Sequence, residues 1–172
     1  MKSAGKKSLR KIARRAPRPA EVKAAQSITH RLDRAIPYLL ARAGERMGMA
    51  FSKELRPFKL TLNEWRVCVA LHFEAHQRLS GLVAHTSGDA STLSRVVDGL
   101  IKSGLVQRDR STEDTRAVAI SLTAKGVKLT EQIIPIAQLY ERVALSGISD
   151  QEAEKLRALL AGIYNNIGIL DR

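Results

Sequence analysis

The segment from Gln77 to Leu122 constrains the fold more than any other part of the chain, because its apolar periodicity changes type within it. It reads QRLSGLVAHTSGDASTLSRVVDGLIKSGLVQRDRSTEDTRAVAISL. Helical spacing over Leu79–His85 and Ala90–Lys102 predicts two short helices, joined by a tight turn at Thr86-Ser87-Gly88. Alternation then predicts two strands, 105–108 and 116–122, around a polar loop. A helix-turn-helix followed by a hairpin wing is a shape that fits duplex DNA.

The chain before this segment has a helical pattern in two stretches. The first covers Ala24–Arg56, where Pro37 should kink or restart the helix and Pro57 should end it. The second begins at a capping box formed by Thr61 and Glu64, with Leu60 and Trp65 placed as a hydrophobic staple. We expect this second helix to run to about Ala75 and to bury Val67, Leu71 and Ala75.

Two more helices are predicted after the hairpin. Thr123 caps a helix to about Leu145 that Pro135 should bend, and a capping box of Ser149 and Glu152 begins the last one. The last helix repeats apolar residues at alternating spacings of three and four, which is typical of a seam for a partner helix. The chain is 44% hydrophobic but only 4% aromatic, so its core must be aliphatic, which favours helices. The predicted fold class is therefore mainly α with a small β-hairpin wing.

The second short helix has one packed face and one hydrogen-bonding face. Leu93, Val97 and Leu100 point inward, whereas the candidate base-reading residues lie on the other side in the first turns, and they are Ser91, Thr92, Ser94 and Arg95. Arg suits bidentate contact with guanine, and Ser or Thr can serve a base or a phosphate.

The hairpin supplies a second set of candidate DNA contacts. Arg108, Arg110 and Arg116 surround its tip, and an arginine there suits a narrow minor groove. Asp114 lies two residues from Arg116, so we expect it to hold an arginine in place and to stabilise the wing.

Positive charge is concentrated at the beginning of the chain. Residues 1–23 hold nine of the 29 Lys and Arg residues but one acid, Glu21, and the formal net charge of the whole chain is +12. With Pro17 and Pro19 and no apolar periodicity, this stretch is predicted to be a disordered basic arm. It either contacts the DNA backbone or is a solvated tail that aids solubility.

Five runs of residues together resemble the MarR family of bacterial transcription regulators. They are a Ser-Thr-x-x-Arg recognition helix, a Gly-Leu-Val turn, an Asp-x-Arg wing, a Leu-Thr-x-x-Gly strand exit, and an upstream helix entry, which are here Ser91–Arg95, Gly104–Val106, Asp114–Arg116, Leu122–Gly126 and Leu60–Trp65. The resemblance covers roughly residues 36–170. The sequence departs from the family pattern in its long basic arm and in Ala90, where a polar or basic residue is common.

The resemblance implies a winged helix-turn-helix DNA-binding domain plus a helical dimerisation domain. The implied layout is an arm at 1–23 and a MarR-like domain at 24–172, with dimerisation helices at 24–57 and 123–172 and the winged helix-turn-helix at 58–122. It also implies a homodimer on a pseudo-palindromic operator of double-stranded DNA, usually as a repressor. In the family, a small-molecule effector at the junction of the two domains changes the spacing of the recognition helices.

An effector pocket is expected between the first helices and the wing domain. Its candidate lining residues combine aromatic faces with cations and a thiol, and they are His30, Arg34, Tyr38, Arg42, Trp65, Cys68 and His72. That combination suits an aromatic carboxylate or its coenzyme A thioester. Each of these residues also has a purely structural interpretation. Trp65, for example, is already explained by the hydrophobic staple that it is predicted to form with Leu60.

Other functions lack support in the sequence. There is no Gly-rich phosphate loop, Cys-x-x-Cys pair or nucleophile elbow, so we expect no enzyme activity, no cofactor and no metal site. Cys68 is the single cysteine, and no apolar run approaches the ~20 residues of a membrane span, so the expected location is the cytoplasm. Two alternatives remain: a sequence-tolerant architectural DNA-binding protein without a ligand, and a winged helix that binds proteins.

Overall fold

The structure is a computed structural model that describes residues 31–83, 90–110 and 118–168. Over these residues the chain forms six α-helices and one two-stranded antiparallel sheet, with short 3-10 turns at Leu32–Arg34 and Arg56–Phe58. The helices are α1 Ile36–Leu55, α2 Leu62–Phe73, α3 Leu79–Val83, α4 Ala90–Lys102, α5 Ala124–Ala144 and α6 Asp150–Ile167, and the strands are β1 Val106–Arg110 and β2 Val118–Leu122. The predicted fold class, mainly helical with one small hairpin, is confirmed.

The chain divides into two compact units. One is Arg42–Ser146, and the described residues of the other are 31–41 and 147–168. The first unit contains the hydrophobic core, in which side chains from α1 to α5 and from both strands pack together. Within the described residues, no helix is long and apolar enough to cross a membrane.

Prolines mark both ends of α1. Arg31 and Ala35 are extended, and α1 begins at Ile36 with Pro37 in its first turn, where no backbone N–H is needed. The helix ends at Leu55 and Pro57 lies in the 3-10 turn that follows. The predicted restart at Pro37 and stop at Pro57 are both confirmed, while residues 24–30 of the predicted helix lie outside the described part of the chain.

Helix α2 begins as predicted but ends earlier. The Thr61 side chain accepts from the Glu64 N–H and the Glu64 carboxylate accepts from the Thr61 N–H, so the capping box is present. The helix ends at Phe73, and Ala75 is exposed, which corrects the prediction that Ala75 is buried. The cause is a bend through His76, whose φ is +59°, after which Gln77 exchanges both backbone hydrogen bonds with Ile120.

Strand β1 ends later than the sequence indicated. β1 and β2 pair in register from Val106 opposite Leu122 to Arg110 opposite Val118. The predicted polar loop therefore begins too early, because Asp109 and Arg110 belong to β1. The Asp109 carboxylate accepts hydrogen bonds from the Ser121 hydroxyl on β2 and from the Gln107 amide, which favours continued pairing at that position.

The end of α4 and the start of α5 are held together at the base of the hairpin. Gly104 has a φ of +70°, which turns the chain out of α4. The Thr123 N–H donates to the Leu105 carbonyl at 3.0 Å, and its hydroxyl donates to the Gly104 carbonyl at 2.8 Å. Lys125 Nζ donates to the Ser103 carbonyl at 2.8 Å. We call these contacts the α4–α5 clasp.

Gly126 belongs to the same junction because the backbone passes very close to it. A Cβ added at Gly126 would lie 2.0 Å from the Leu105 carbonyl oxygen, a distance that no real side chain tolerates. The Gly126 N–H donates to the Thr123 hydroxyl, so α5 is capped at the same place. The residues of the Leu-Thr-x-x-Gly run thus have structural roles: Thr123 caps the helix and Gly126 permits the close approach.

The helices of the second unit expose many apolar side chains in the single chain. α6 begins at the predicted Ser149–Glu152 capping box, and Ala153 is buried. Many of the unit's large apolar side chains are exposed in the single chain, namely Leu32, Ile36, Leu39, Leu40, Ile148, Leu156, Leu159, Leu160, Tyr164 and Ile167. The predicted partner seam on α6 includes several of them. Its last member, Leu170, lies outside the described residues.

Two Gly→Ala substitutions should change the free energy of unfolding in opposite directions. Gly126→Ala forces its methyl group against the Leu105 carbonyl and should destabilise the protein by about 1–3 kcal/mol or more. Gly44, inside α1, has nothing within 4 Å of a built Cβ, so Gly44→Ala should stabilise by about 0.5–1 kcal/mol. Urea unfolding followed by circular dichroism measures both. Equal effects of the two substitutions would refute the close approach at Gly126.

Candidate functional site

Helix α4 separates a buried face from a polar one as the sequence predicted. Leu93, Val97 and Leu100 are at most 2% exposed and belong to the core. Ser91 and Arg95 are exposed in the first turns. Thr92 and Ser94 are half-buried between the two faces. The four candidate base-reading residues therefore lie together outside the packed side of α4. The turn at 86–88 that precedes α4 lies outside the described residues.

An ion pair joins α4 to the hairpin. Arg108 Nη2 on β1 donates to the Asp98 carboxylate on α4 at 2.7 Å, and both side chains are about half exposed, at 51% and 48%. The partners are ten residues apart in sequence and on different elements, so the contact helps to set the hairpin against α4. The predicted role of Arg108 in DNA contact thus has a structural alternative.

The other hairpin candidates fall mostly beyond the described residues. Arg110 lies on β1 opposite Val118, and nothing is described of its side chain. Asp114 and Arg116 lie outside the described residues, so their predicted roles stay predictions. Asp109 links the two strands at the described base of the wing, where its carboxylate accepts a hydrogen bond from the Ser121 hydroxyl. Its pKa is held below the usual range by the Ser121 hydroxyl first, then by Gln107 and nearby His76.

A cleft lies between α1, α2 and α5 within the larger unit. Its volume is about 780 Å³, and its walls include Phe51, Trp65 and Tyr140. The Phe51 ring meets the other two edge-to-face, with centroid distances of 5.8 Å to Trp65 and 5.7 Å to Tyr140. Arg46, Arg66 and Glu141 also line the cleft, so the aromatic wall stands beside two cations and one carboxylate. We call this the aromatic cleft.

Tyr140 also links α5 to α1. Its hydroxyl donates to the Glu54 carboxylate at 2.8 Å across 86 residues of sequence. That hydrogen bond raises the pKa of Tyr140, and partial burial adds to the effect. The position of the Tyr140 ring in the cleft is therefore tied to the end of α1.

The predicted effector residues are not brought together as a set. Trp65 lines the aromatic cleft, but Arg42, Cys68 and His72 of the same unit do not. His72 is exposed, and its Nε2 lies 3.7 Å from the Glu131 carboxylate. Arg34 and Tyr38 belong to the second unit, where Arg34 is exposed and Tyr38 half-buried. His30 lies outside the described residues.

Cys68 is buried at 1% exposure in the core. Burial raises the pKa of its thiol to about 12; the Glu64 charge adds to this, and a hydrogen bond with Thr130 opposes it. Such a thiol carries almost no thiolate at neutral pH, so its environment is that of a structural cysteine. Among the described residues, no group of three or more His, Cys, Asp and Glu side chains has a geometry that suits a metal ion.

Comparisons with known proteins agree with the fold. The model of the family described as transcriptional regulator SarA/Rot matches residues 50–133. A solved structure of a probable transcriptional regulator from Pseudomonas aeruginosa is 34% identical, with 77% of this chain and 99% of that one covered and a TM-score of 0.68. A MarR family regulator from Silicibacter pomeroyi is 27% identical over 80% of this chain and 92% of its own, with a TM-score of 0.71.

Two named regulators are also similar. The HTH-type transcriptional repressor IacR of Pseudomonas putida is 25% identical over 134 residues, which are 77% of this chain and 80% of IacR. BpsR of Bordetella bronchiseptica, whose structure concerns regulation of its DNA binding by 6-hydroxynicotinic acid, is 26% identical over 75% of this chain and 98% of its own, with a TM-score of 0.66. The chain belongs to the MarR family of winged helix-turn-helix transcription regulators.

Sequence reasoning missed most of the cleft wall. Of the residues named above in its wall, Trp65 was a candidate from the sequence, and Phe51, Tyr140, Arg46 and Arg66 were not. The cleft forms only where α5, which is distant in sequence, lies beside α1 and α2, and no local spacing reveals that these three helices meet. The sequence offered one weak signal for this cleft. The chain has only seven Phe, Trp and Tyr residues, and three of them line it.

The Cys68 thiol should be unreactive in the folded protein. Because its pKa is about 12, it stays protonated at mildly alkaline pH and is shielded by the core. Labelling with a chromogenic disulfide reagent should therefore be slow in the native state and stoichiometric after unfolding in guanidinium chloride. A Cys68→Ala variant supplies the background. Rapid, complete labelling of the native protein would contradict the buried position.

Proposed function

We propose that the protein is a repressor that binds a pseudo-palindromic operator as a homodimer and is released by a small molecule. The observation that carries the proposal is the two-faced α4, whose core side is fully packed while Ser91 and Arg95 are exposed in its first turns. A helix with this division can enter the major groove without losing its own packing. Such a protein acts in the cytoplasm, on the chromosome.

The homodimer is supported by the apolar surface of the second unit. Leu159, Tyr164 and Ile167 are 57%, 70% and 55% exposed in the single chain. Exposed apolar side chains at helical spacing are what a partner helix would cover. Two copies related by a twofold axis would present two α4 helices to two half-sites. We propose the dimerisation helices at 24–57 and 123–172 and the winged helix-turn-helix at 58–122.

The small-molecule response is supported by the aromatic cleft. A volume of about 780 Å³ with aromatic walls and cations suits a planar acid or a larger derivative of it. BpsR, a relative by sequence and fold, is regulated by 6-hydroxynicotinic acid according to the description of its structure. The effector that we propose is an aromatic carboxylate or its coenzyme A thioester.

The second candidate is a sequence-tolerant architectural DNA-binding protein. The observation that favours it is the basic arm, where nine Lys and Arg residues face one acid in residues 1–23. Such an arm would supply backbone affinity without base reading, and its affinity would fall steeply with salt.

Selection of bound duplexes from a random DNA pool, with purified protein near physiological salt, separates the two candidates. Recovery of an inverted repeat with half-sites about one helical turn apart would support the operator-binding repressor. Tight, salt-sensitive binding with no recovered motif would support the architectural protein. A variant that lacks residues 1–22 should then lose affinity on every sequence alike.

Arg95 provides the sharper test of base reading. On the recovered site, Arg95→Ala should cost about 1–3 kcal/mol of binding free energy and relax the preference at one base position. Arg95→Lys is the matched control, because it keeps the charge but loses the bidentate fork. An equal loss on all sequences with Arg95→Ala, repaired by Arg95→Lys, would mean that Arg95 contacts only phosphate.

The Asp98–Arg108 ion pair should affect DNA binding as one unit. We expect Asp98→Ala and Arg108→Ala each to weaken operator binding several-fold, and the double variant to bind no worse than either, because all three break the same contact. The salt dependence should not change. If Arg108 instead contacts a phosphate, Arg108→Ala alone would weaken binding and reduce the salt slope by about 0.9.

A further inference from the structure

A second cleft adjoins the aromatic cleft. Its volume is about 670 Å³, and it lies between α1 and the start of α2 in the same unit. The two clefts share four lining residues, which are Gly44, Gly48, Leu62 and Arg66. They are thus neighbours on either side of the place where α1 approaches Leu62.

The second cleft carries an excess of positive charge. Lys53, Arg56 and Arg66 line it, and Glu45 is its one acidic lining residue. Among the ion pairs within the described residues, none uses Lys53 or Arg56. Two arginines and a lysine around one cleft are suited to a phosphate, which arginine can hold through two parallel hydrogen bonds. We call this the cationic cleft.

Gly44 leaves the border between the clefts open. It lies in the interior of α1, where glycine costs about 0.5–1 kcal/mol relative to alanine. Packing does not require it, since a Cβ built there meets no atom within 4 Å. Gly48, by contrast, has the Leu62 side chain 3.1 Å from its built Cβ, so close packing accounts for that glycine. The space beside Gly44 is therefore available to something other than this chain.

We propose that the two clefts form one bipartite site for an elongated amphipathic ligand. Its aromatic end lies against Phe51, Trp65 and Tyr140, its connecting chain passes Gly44, and its phosphate-bearing end binds in the cationic cleft. The inference deepens the proposed effector response: a single-ended aromatic acid would fill one cleft, whereas this ligand class fills both. Specificity would follow from the need to satisfy both ends at once.

The test measures binding in the absence of DNA, by isothermal titration calorimetry, so that it does not depend on operator release. Three probes are compared: phenylhexyl phosphate, which has both ends, phenylhexanol, which lacks the charge, and benzoate, which lacks the chain. We expect phenylhexyl phosphate to bind at least about tenfold more tightly than either other probe, the scale of one charge-assisted hydrogen bond. Equal affinity for the phosphate and the alcohol would overturn the proposal.

Two variants assign the ends. Lys53→Gln should weaken phenylhexyl phosphate roughly tenfold and leave phenylhexanol and benzoate unchanged. Lys128→Gln, an exposed lysine of α5 that lines neither cleft, is the matched control and should change nothing. An equal loss for both variants would mean that the phosphate senses only the net charge of the protein.

The border is tested with Gly44→Leu, since nothing lies within 4 Å of a Cβ built at Gly44. It should reduce phenylhexyl phosphate to the affinity of a single-ended probe, because the new side chain would stand on the border between the two clefts. Gly44→Ala, with a smaller side chain, reports whether the helix tolerates substitution. If Gly44→Leu instead dissociates a dimer in light scattering and leaves phenylhexyl phosphate binding intact, Gly44 seats a second copy and the bipartite site is wrong. If phenylhexyl phosphate binds as expected but does not release the protein from DNA, the proposed effector response is wrong and the bipartite site stands.

Discussion

The α4–α5 clasp is the contact on which the rest of the larger unit depends. At this junction the chain leaves α4 and enters the hairpin, and after β2 it begins the long helix α5. The carbonyls of Ser103, Gly104 and Leu105 all find donors from the first turn of α5. Carbonyls at the end of a helix have no partner within it and would otherwise need water. Gly126 makes this possible, since any side chain there would hold α5 away from Leu105. The clasp thus fixes the C-terminal end of α4 to the first turn of α5.

The features that sequence predicted well are those that local spacing determines. Both capping boxes need two residues three apart, and the ends of α1 need a proline at a stated position, so a reader of the sequence can find them without knowing the fold. The helical face of α4 was also readable, because Leu93, Val97 and Leu100 repeat at helical spacing. The agreement of these signals with the final fold is what a sequence that specifies one structure should show.

What sequence did not predict depends on contacts between distant elements. Helix α2 ends earlier than predicted because Gln77 pairs with Ile120, and β1 continues past Arg108, where Asp109 accepts a hydrogen bond from Ser121. The aromatic cleft needs Phe51, Trp65 and Tyr140 from three helices, and the Tyr140–Glu54 hydrogen bond spans 86 residues. No periodicity within one helix contains that information. The sequence predicted an effector pocket of aromatic residues beside cations; of its candidate residues, Trp65 lines the aromatic cleft, and the others that the structure describes do not.

Helix α5 extends from the clasp, which holds the end of α4, to the aromatic cleft. It begins at the clasp with Thr123 and reaches the aromatic cleft at Tyr140, which at 1.5 Å per residue is about 25 Å away. Pro135 lies between them, and its missing N–H removes one backbone hydrogen bond of the helix. A ligand against Tyr140 would act on the part of α5 beyond Pro135, whereas the clasp holds the part before it. For the ligand to move α4, the helix must have two arrangements that differ about Pro135, or Ile133 and its core neighbours must shift with it. Coupling requires such a two-state element, and a mid-helix proline is where a helix most readily bends.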